Sequence, residues 1–276
     1  MDISLCMIVR DEEECLPRFL DSARGVVDEI IVVDTGSTDR TVGVALAHGA
    51  NVVSFPWSGD FSEARNRGLD LATGEWILAL DADEELPEET RANLRPVVRS
   101  TTAQGLQVRI RNIAPPGELL AYQDKPLTRI FVNAPAHRYE SPIHEQMAPS
   151  ILRLGGRVDR TGLLVLHHGY ARPTSQGGVD RAQRNLSALE RSVETRPNDA
   201  YTWYQLGCTY KGMGRDSNAV EAFQRTYALD PQGETLEPEV RATLFTKLAQ
   251  IALGRREDAI AAEMAAESLA VCPGNA

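Results

Sequence analysis

The chain has 276 residues, of which 42% are hydrophobic and 25% charged, and its formal net charge is −10. This composition is typical of a globular protein and excludes a disordered one. The acidic balance, without a cluster of Lys and Arg, argues against nucleic acid as a partner. The apolar runs are strand-sized and the N-terminus is acidic, so we expect no transmembrane segment and no secretory signal. The four cysteines lack metal-site spacing and indicate reduced thiols and a cytoplasmic location.

Residues 1 to about 170 alternate short apolar runs with amphipathic stretches. The predicted strands cover residues 3–9, 28–33, 51–55 and 75–80, and the predicted helices between them cover 12–24, 37–48 and 60–72. This alternation predicts an α/β domain, Rossmann-like, with a mostly parallel sheet covered by helices on both faces. Ligands bind such sheets beyond the carboxyl ends of the strands, so the informative residues are those that directly follow each strand.

From residue 181 onward the pattern is helical. It contains the spacing of a tetratricopeptide repeat (TPR), with landmarks at Trp203, Leu206, Gly207, Tyr210, Gly214, Ala219, Phe223 and Pro231. A weaker copy follows an insertion near residues 233–238. We therefore predict three parts: an α/β domain over 1–172, a linker rich in Gly, Pro and Ser over 173–180, and an all-α domain of TPR-like helical repeats over 181–276.

The sharpest chemical signal is Asp81-Ala82-Asp83, which ends the fourth predicted strand. Two carboxylates at this spacing can converge on one divalent cation, and hard oxygen ligands suit Mn²⁺ or Mg²⁺. Such an ion would neutralise the diphosphate of a nucleotide. The alternative is an acidic turn that only leads into the next helix.

A second signal follows the first two strands. Asp34 lies at the end of the second strand, where a carboxylate can accept the imide N–H of a uracil ring, and Gly36 permits a tight turn after it. Val9 and Arg10 end the first strand, where the backbone can pass close to a base and ribose, and Glu12 is available to a hydroxyl. On the third predicted helix, Arg65 can reach a pyrophosphate or a base edge.

These segments, in this order, resemble the nucleotide-sugar-binding half of the family 2 glycosyltransferases, which have the GT-A fold. The matching stretches are CMIVRDEEE, DEIIVVDTGSTDRT, FSEARNRGL and ATGEWILALDADE. With the helical repeats, the chain is most similar to the bacterial subgroup that includes the peptide S- and O-glycosyltransferases. The resemblance implies a UDP-sugar donor, a peptide or protein acceptor, uracil on Asp34, and the metal-diphosphate beside Asp81 and Asp83.

The resemblance also suggests residues beyond the nucleotide half. An inverting transferase needs a carboxylate that deprotonates the acceptor, and Glu145 matches the Ile-His-Glu stretch of the subgroup. GT-A enzymes often place a third metal ligand near the end of the domain, where this chain has His167 and His168. Neighbouring residues on a strand point to opposite sides, so only one can bind the metal. We take His168 as the candidate.

Two other functions are compatible with parts of the pattern. A nucleotidyltransferase would share the layered sheet and the metal-binding carboxylates, but usually has a basic Gly-rich loop where this chain has the acidic segment 11–14. A non-catalytic interaction protein would use the repeats alone, with a degenerate transferase domain. The intact carboxylates at Asp34, Asp81 and Asp83 favour the enzyme.

Overall fold

The computed structural model describes residues 2–113, 125–143, 145–168, 177–233 and 235–273. The chain divides into two compact units, residues 1–175 and 176–276. Among the described helices, none is both long enough and apolar enough to cross a lipid bilayer.

In the described part of the first unit, eight strands form one mixed sheet in the order β3-β2-β1-β4-β7-β6-β8-β5. The strands are β1 (Ile3–Val9), β2 (Glu29–Asp34), β3 (Asn51–Ser54), β4 (Trp76–Ala79), β5 (Glu84–Glu85), β6 (Gly105–Asn112), β7 (Lys125–Val132) and β8 (Val158–His167). The first four pair in parallel, whereas β7 joins β4 and β6 as an antiparallel strand. The expected mostly parallel half is therefore followed by a mixed half.

Helices cover both faces of this sheet. They are α1 (Leu16–Ala23), α2 (Thr41–Ala47), α3 (Phe61–Leu69), α4 (Glu88–Ser100) and α5 (Ala148–Arg153). The strand residues alternate between two apolar clusters. One face buries Leu5, Leu78 and Ile130 with α1, while the other buries Ile77 and Phe131. The two-sided burial explains why these strands read as continuous apolar runs.

Helix α1 begins later than the sequence predicts, because the backbone before it is hydrogen-bonded to the segment that follows β2. The N–H groups of Asp11, Glu12 and Glu13 donate to side chains of the loop after β2 and of the first residue of α2, at 3.0, 2.7 and 3.1 Å. In return the N–H of Thr38 donates to Asp11 at 2.7 Å, and that of Arg40 donates to Glu13 at 2.9 Å. The loops after β1 and β2 are thus interlocked by hydrogen bonds, and the helix can start only after them.

The second unit is helical. Its described elements are α6 (Gly177–Thr195), α7 (Ala200–Gly212), α8 (Asp216–Leu229), α9 (Pro238–Gly254) and α10 (Asp258–Val271). Residues 177–180 of the predicted linker therefore belong to α6, although their two glycines are poor helix formers. Residues 172–176, including the predicted domain boundary, lie outside the described residues.

One glycine sets the distance between α7 and α8. A Cβ atom on Gly207 would lie 2.5 Å from Cδ1 and Cε1 of Phe223, which is fully buried. The two helices can approach this closely only because position 207 carries no side chain. The predicted TPR landmarks at these two positions therefore pack against each other.

We predict that Gly207→Ala lowers the free energy of unfolding by about 1–3 kcal/mol, because the added methyl group overpacks the Phe223 ring. Gly212→Ala is the matched control, since a Cβ atom there meets nothing within 4 Å. It should leave stability unchanged or raise it by up to about 1 kcal/mol. Equilibrium urea unfolding measures both, and equal effects would refute the packing argument.

Candidate active site

The predicted site residues converge at the carboxyl edge of the parallel strands. In the sheet register Val9 lies beside Asp34, and Ala79 lies beside Cys6. Asp81 follows two residues after Ala79 and therefore projects from the same edge. The parallel pairing alone brings together segments that are far apart in sequence.

At the centre of this edge lies a network of five charged side chains, which we call the buried network because only Asp81 and Glu145 are partly exposed. Arg65 donates through Nη2 to Asp81 Oδ1 and through Nε to Glu145 Oε1, both at 2.5 Å. Arg129 Nη2 donates to Asp81 Oδ2 and to Glu84 Oε1, both at 2.8 Å. Arg65 is 6% exposed, Arg129 is 9% exposed and Glu84 is 1% exposed. Each carboxylate oxygen of Asp81 is therefore bound by a different arginine.

Burial and the arginines act in opposite directions on these carboxyl groups. Burial alone would raise the pKa of Asp81, but Arg129 and Arg65 outweigh it and hold the pKa well below its usual range. At Glu84 burial dominates and raises the pKa to about 7, with Asp81 adding to the rise and Arg129 opposing it. Glu84 is therefore the first of the two to take up a proton as the pH falls.

Helix α3 positions the segment that carries Glu145. Its residue Asn66 donates through Nδ2 to the Tyr139 carbonyl at 3.0 Å and accepts from the Tyr139 N–H at 2.9 Å. One turn earlier, the Ser62 hydroxyl donates to the carbonyl of Ser141. The polar residues of the FSEARN stretch thus face this segment, and with them Arg65 reaches Glu145. His144, which precedes Glu145, lies outside the described residues.

Asp34 is buried at the end of β2, where its side chain is held by the following turn. Its carboxylate accepts the backbone N–H groups of Gly36 and Ser37 at 3.2 Å. Gly36 adopts a φ of 108°, a conformation that residues with a side chain rarely take. The turn therefore fixes the carboxylate at the sheet edge in the position that the sequence predicts.

The other predicted donor contacts surround this turn. The Val9 carbonyl accepts from the backbone N–H and the hydroxyl of Thr35, at 3.0 and 3.1 Å. Arg10 is exposed, Glu12 is half-buried, and Ala82 is buried between the two aspartates. The predicted residues thus lie on one edge, although the Val9 carbonyl is already engaged.

His167, the last residue of β8, and His168, which follows it, contact different partners, as expected of neighbouring residues on a strand. His167 Nδ1 lies 3.4 Å from Asp83 Oδ1, and this interaction with Asp83 raises the pKa of His167. His168 instead directs Nε2 to Glu85 Oε2 at 2.9 Å and lies 3.4 Å from Arg18 through Nδ1. The geometry therefore favours His167 over the predicted His168 as the partner of Asp83.

The donor set for a divalent cation is only partly assembled in this arrangement. Within the ranges that the structure describes, no three His, Cys, Asp or Glu side chains converge to hold a metal ion. Asp83 offers an oxygen that suits Mn²⁺ or Mg²⁺ and His167 offers a nitrogen that suits Mn²⁺, so the pair fits such a site. Asp81 does not fit it here, since both of its oxygens are bound by arginines.

Two members of the network, Arg129 and Glu84, are not among the residues predicted from the sequence. Arg129 lies on β7 directly before the apolar run Ile130–Val132, and a charged residue at a buried strand position is a signal that could have revealed it. Glu84 directly follows the two aspartates, within the acidic turn that the sequence offers as the alternative to a metal site. Its Oε2 accepts the backbone N–H of Asp81 at 2.8 Å, so it also shapes that turn.

Comparison with known proteins identifies the family. The model of glycosyl transferase family 2 matches residues 4–146, more than half of the chain. The chain therefore belongs to glycosyl transferase family 2. The matched region contains the interlocked loops and all five residues of the buried network.

Several curated proteins are similar over different lengths. A TPR repeat-containing protein of Synechococcus elongatus is 38% identical over 254 residues, covering 90% of this chain and 60% of that protein. An uncharacterized glycosyltransferase of Rickettsia felis is 38% identical over 98 residues, covering 36% of this chain and 34% of that protein. The SPbeta prophage-derived glycosyltransferase SunS of Bacillus subtilis is 24% identical over 226 residues, covering 81% of this chain and 53% of that protein. The chain thus spans between one third and three fifths of these relatives.

Solved structures confirm the fold. The crystal structure of S. aureus TarS 1–349 superposes with a TM-score of 0.53 at 14% identity, covering 96% of this chain and 90% of that chain. The same fragment in complex with UDP-GlcNAc gives a TM-score of 0.53 at 13% identity, covering 96% and 91%. The predicted fold class, a GT-A α/β domain followed by TPR-like helices, is therefore confirmed.

We predict that Arg129→Met lowers the free energy of unfolding by about 3–5 kcal/mol, because Asp81 and Glu84 lose a buried cation. Arg157→Met is the control, since Arg157 pairs at 2.8 Å with Asp159 while the two side chains are 60% and 40% exposed. An exposed pair of this kind contributes below about 1 kcal/mol. Urea unfolding of both variants measures the difference, and similar losses would mean that the network is not stabilising.

Proposed function

We propose that this protein is a metal-dependent, inverting glycosyltransferase that moves a sugar from a UDP-sugar donor to a peptide or protein acceptor. The observation that carries the proposal is the link through Arg65 between Asp81, on the donor side, and Glu145, the candidate base. Membership of glycosyl transferase family 2 supports the reaction class. TarS, which shares the fold, has been solved with UDP-GlcNAc, and this is consistent with a UDP-sugar donor.

The nucleotide is proposed to bind at the interlocked loops after β1 and β2. Asp34 would accept the imide N–H of uracil, and the backbone around Val9 and Arg10 would pass along the base and ribose. Glu12 would accept from a ribose hydroxyl. Because the turn after β2 holds the Asp34 carboxylate in place, little reorganisation is needed when the base binds.

A divalent cation, Mn²⁺ or Mg²⁺, would be held by Asp83 and His167 and would neutralise the charge that develops on the leaving diphosphate. Asp81, next to Ala82, lies at the edge of this site with both of its oxygens bound by arginines. Arg65 is proposed to orient Asp81 and Glu145, since it is buried between them. This role differs from the direct contact with a pyrophosphate that the sequence suggested.

In the transfer step the acceptor attacks the anomeric carbon on the face opposite to the diphosphate. The acceptor O–H or S–H bond breaks, and the proton passes to the carboxylate of Glu145. The new bond to the anomeric carbon forms as the bond to the diphosphate oxygen breaks, and UDP leaves with that electron pair. Arg65 orients Glu145 through a hydrogen bond to Oε1, so that the base is preorganised.

The acceptor is proposed to be a Cys or Ser side chain of a polypeptide. The helical unit supports this proposal, because TPR-like helix pairs form surfaces that hold extended peptides. We propose that residues 1–172 form the catalytic domain and residues 181–276 the acceptor-binding domain, joined around 173–180.

We predict that Asp34→Asn weakens UDP binding by about 1.5–3 kcal/mol, because the amide replaces a charged acceptor of the uracil N–H. Isothermal titration calorimetry with UDP and Mn²⁺ measures the loss. Asp70→Asn is the control, since Asp70 ends α3 and pairs with Arg138 at 2.9 Å away from the nucleotide loops. If Asp34→Asn binds UDP like the parent protein and has the same melting temperature, Asp34 is not in the site.

We predict that Asp83→Ala removes most UDP-sugar hydrolysis and most binding of Mn²⁺, because it deletes an anionic ligand from the cation site. Electron paramagnetic resonance of free Mn²⁺ reports binding independently of turnover. His167→Ala should weaken Mn²⁺ binding, whereas His168→Ala should not. Full activity of Asp83→Ala, or of the parent protein in excess chelator, would contradict the metal assignment.

A further inference from the structure

The second unit contains an open groove of about 570 Å³ between α8, α9 and α10. Each helix contributes one stripe of side chains at helical spacing, so the groove runs along the helices. The stripe of α9 extends from Phe245 to Arg255. At a rise of about 1.5 Å per residue this stripe is roughly 15 Å long.

The floor of the groove is apolar, and two large apolar side chains are also exposed where the groove opens to solvent. Phe223, Phe245 and Ile251 are buried along the floor. Tyr227 on α8 and Ile260 on α10 are 47% and 49% exposed on opposite walls. Large apolar side chains exposed around a concave surface are typical of a binding site.

The charge on the walls is uneven. Glu263 and Glu267 line the α10 wall one helical turn apart, and Glu257 lies just before α10. The α9 wall contributes Arg255, which also donates to Ser217 at 3.4 Å. Three carboxylates and one guanidinium therefore line the groove, and this excess of negative charge favours a cationic partner.

The dimensions limit the partner to a short segment. A groove of roughly 15 Å accommodates four or five extended residues at about 3.3 Å each. In an extended segment alternate side chains point the same way, so apolar side chains can enter the floor while the others reach the walls. The complementary sequence alternates apolar residues with Lys or Arg.

We infer that this groove binds an extended polypeptide segment in which apolar and basic residues alternate, and that this segment belongs to the acceptor. The second part of the inference rests on the proposed function, whereas the first does not. The apolar floor supplies affinity, and the carboxylates of Glu263 and Glu267 select for basic residues. The acceptor is therefore recognised at a segment other than the side chain that is modified.

The test uses the full chain and two labelled peptides, one of alternating leucine and lysine and one with glutamate in place of lysine. Fluorescence anisotropy should show the lysine peptide binding at least about tenfold more tightly, a difference of about 1.4 kcal/mol. Tyr227→Ser with Ile260→Ser should weaken the lysine peptide by about tenfold or more, with the circular dichroism spectrum unchanged. Equal affinity for both peptides, or unchanged affinity in the double variant, would overturn the inference.

A matched pair of charge variants distinguishes binding in the groove from attraction to the net charge of the protein. Glu263→Lys with Glu267→Lys should reverse the preference toward the glutamate peptide. Glu194→Lys with Glu221→Lys changes the net charge equally at exposed positions of the same unit that do not line the groove. If this control loses the lysine peptide equally, the binding is adsorption to an acidic protein and the inference fails.

Two further measurements distinguish the remaining outcomes. Sedimentation velocity shows whether Ile260→Ser changes the association state of the chain, and a change would make the groove an interface between copies. UDP affinity of the groove variants should equal that of the parent protein. Lysine-peptide binding in a protein that binds no UDP would support the groove while it contradicts the proposed function.

Discussion

Asp81 is bound by two arginines from different parts of the chain, and the arrangement of the site depends on that sharing. Arg129 comes from β7, the antiparallel neighbour of β4, and Arg65 comes from α3. Two guanidinium groups next to each other in a buried place would repel without the carboxylates between them. The carboxylates of Asp81, Glu84 and Glu145 therefore hold helix, sheet and loop in a single electrostatic unit. Removal of Arg129 leaves the buried Glu84 without a cation in this network, and removal of Arg65 does the same to Glu145.

The fold supplies this unit with rigid attachment points. The parallel register of β1, β2 and β4 places three loop starts at one edge, and the antiparallel β7 brings a cation to the same edge. In the second unit, Gly207 likewise fixes the position of side chains, because it lets α7 and α8 approach closely enough to form a repeat. Backbone geometry thus decides where the side chains can meet.

The sequence predicts the first half of the sheet well because each element there is regular and local. The run Ile3–Val9 is a strand as expected, and the helices between strands follow from periodicity and turn residues. Helix α1 starts at Leu16 because of hydrogen bonds from a distant loop, which no local pattern encodes. Boundaries are therefore predicted less well than the elements themselves.

The candidate site residues, too, are predictable from the sequence only where a local pattern marks them. Asp34, Asp81 and Asp83 were predicted because each follows a recognisable strand or turn. Arg129 was missed because its partner lies 48 positions away. The choice between His167 and His168 depends on the pairing of β8 with the two-residue strand β5, where Glu84 lies opposite His167. A strand of two residues is too short to produce a recognisable alternation of apolar and polar residues in the sequence.

The interlocked loops after β1 and β2 have a consequence for motion. Each segment provides side-chain acceptors for the backbone of the other. The Thr41 hydroxyl accepts the N–H of Glu12, and the Asp11 carboxylate accepts the N–H of Thr38. When either loop opens, backbone N–H groups of its neighbour lose their side-chain acceptors. The two therefore open as one cooperative unit, with common protection of their amide hydrogens from exchange. A nucleotide held by one loop would consequently slow the opening of both.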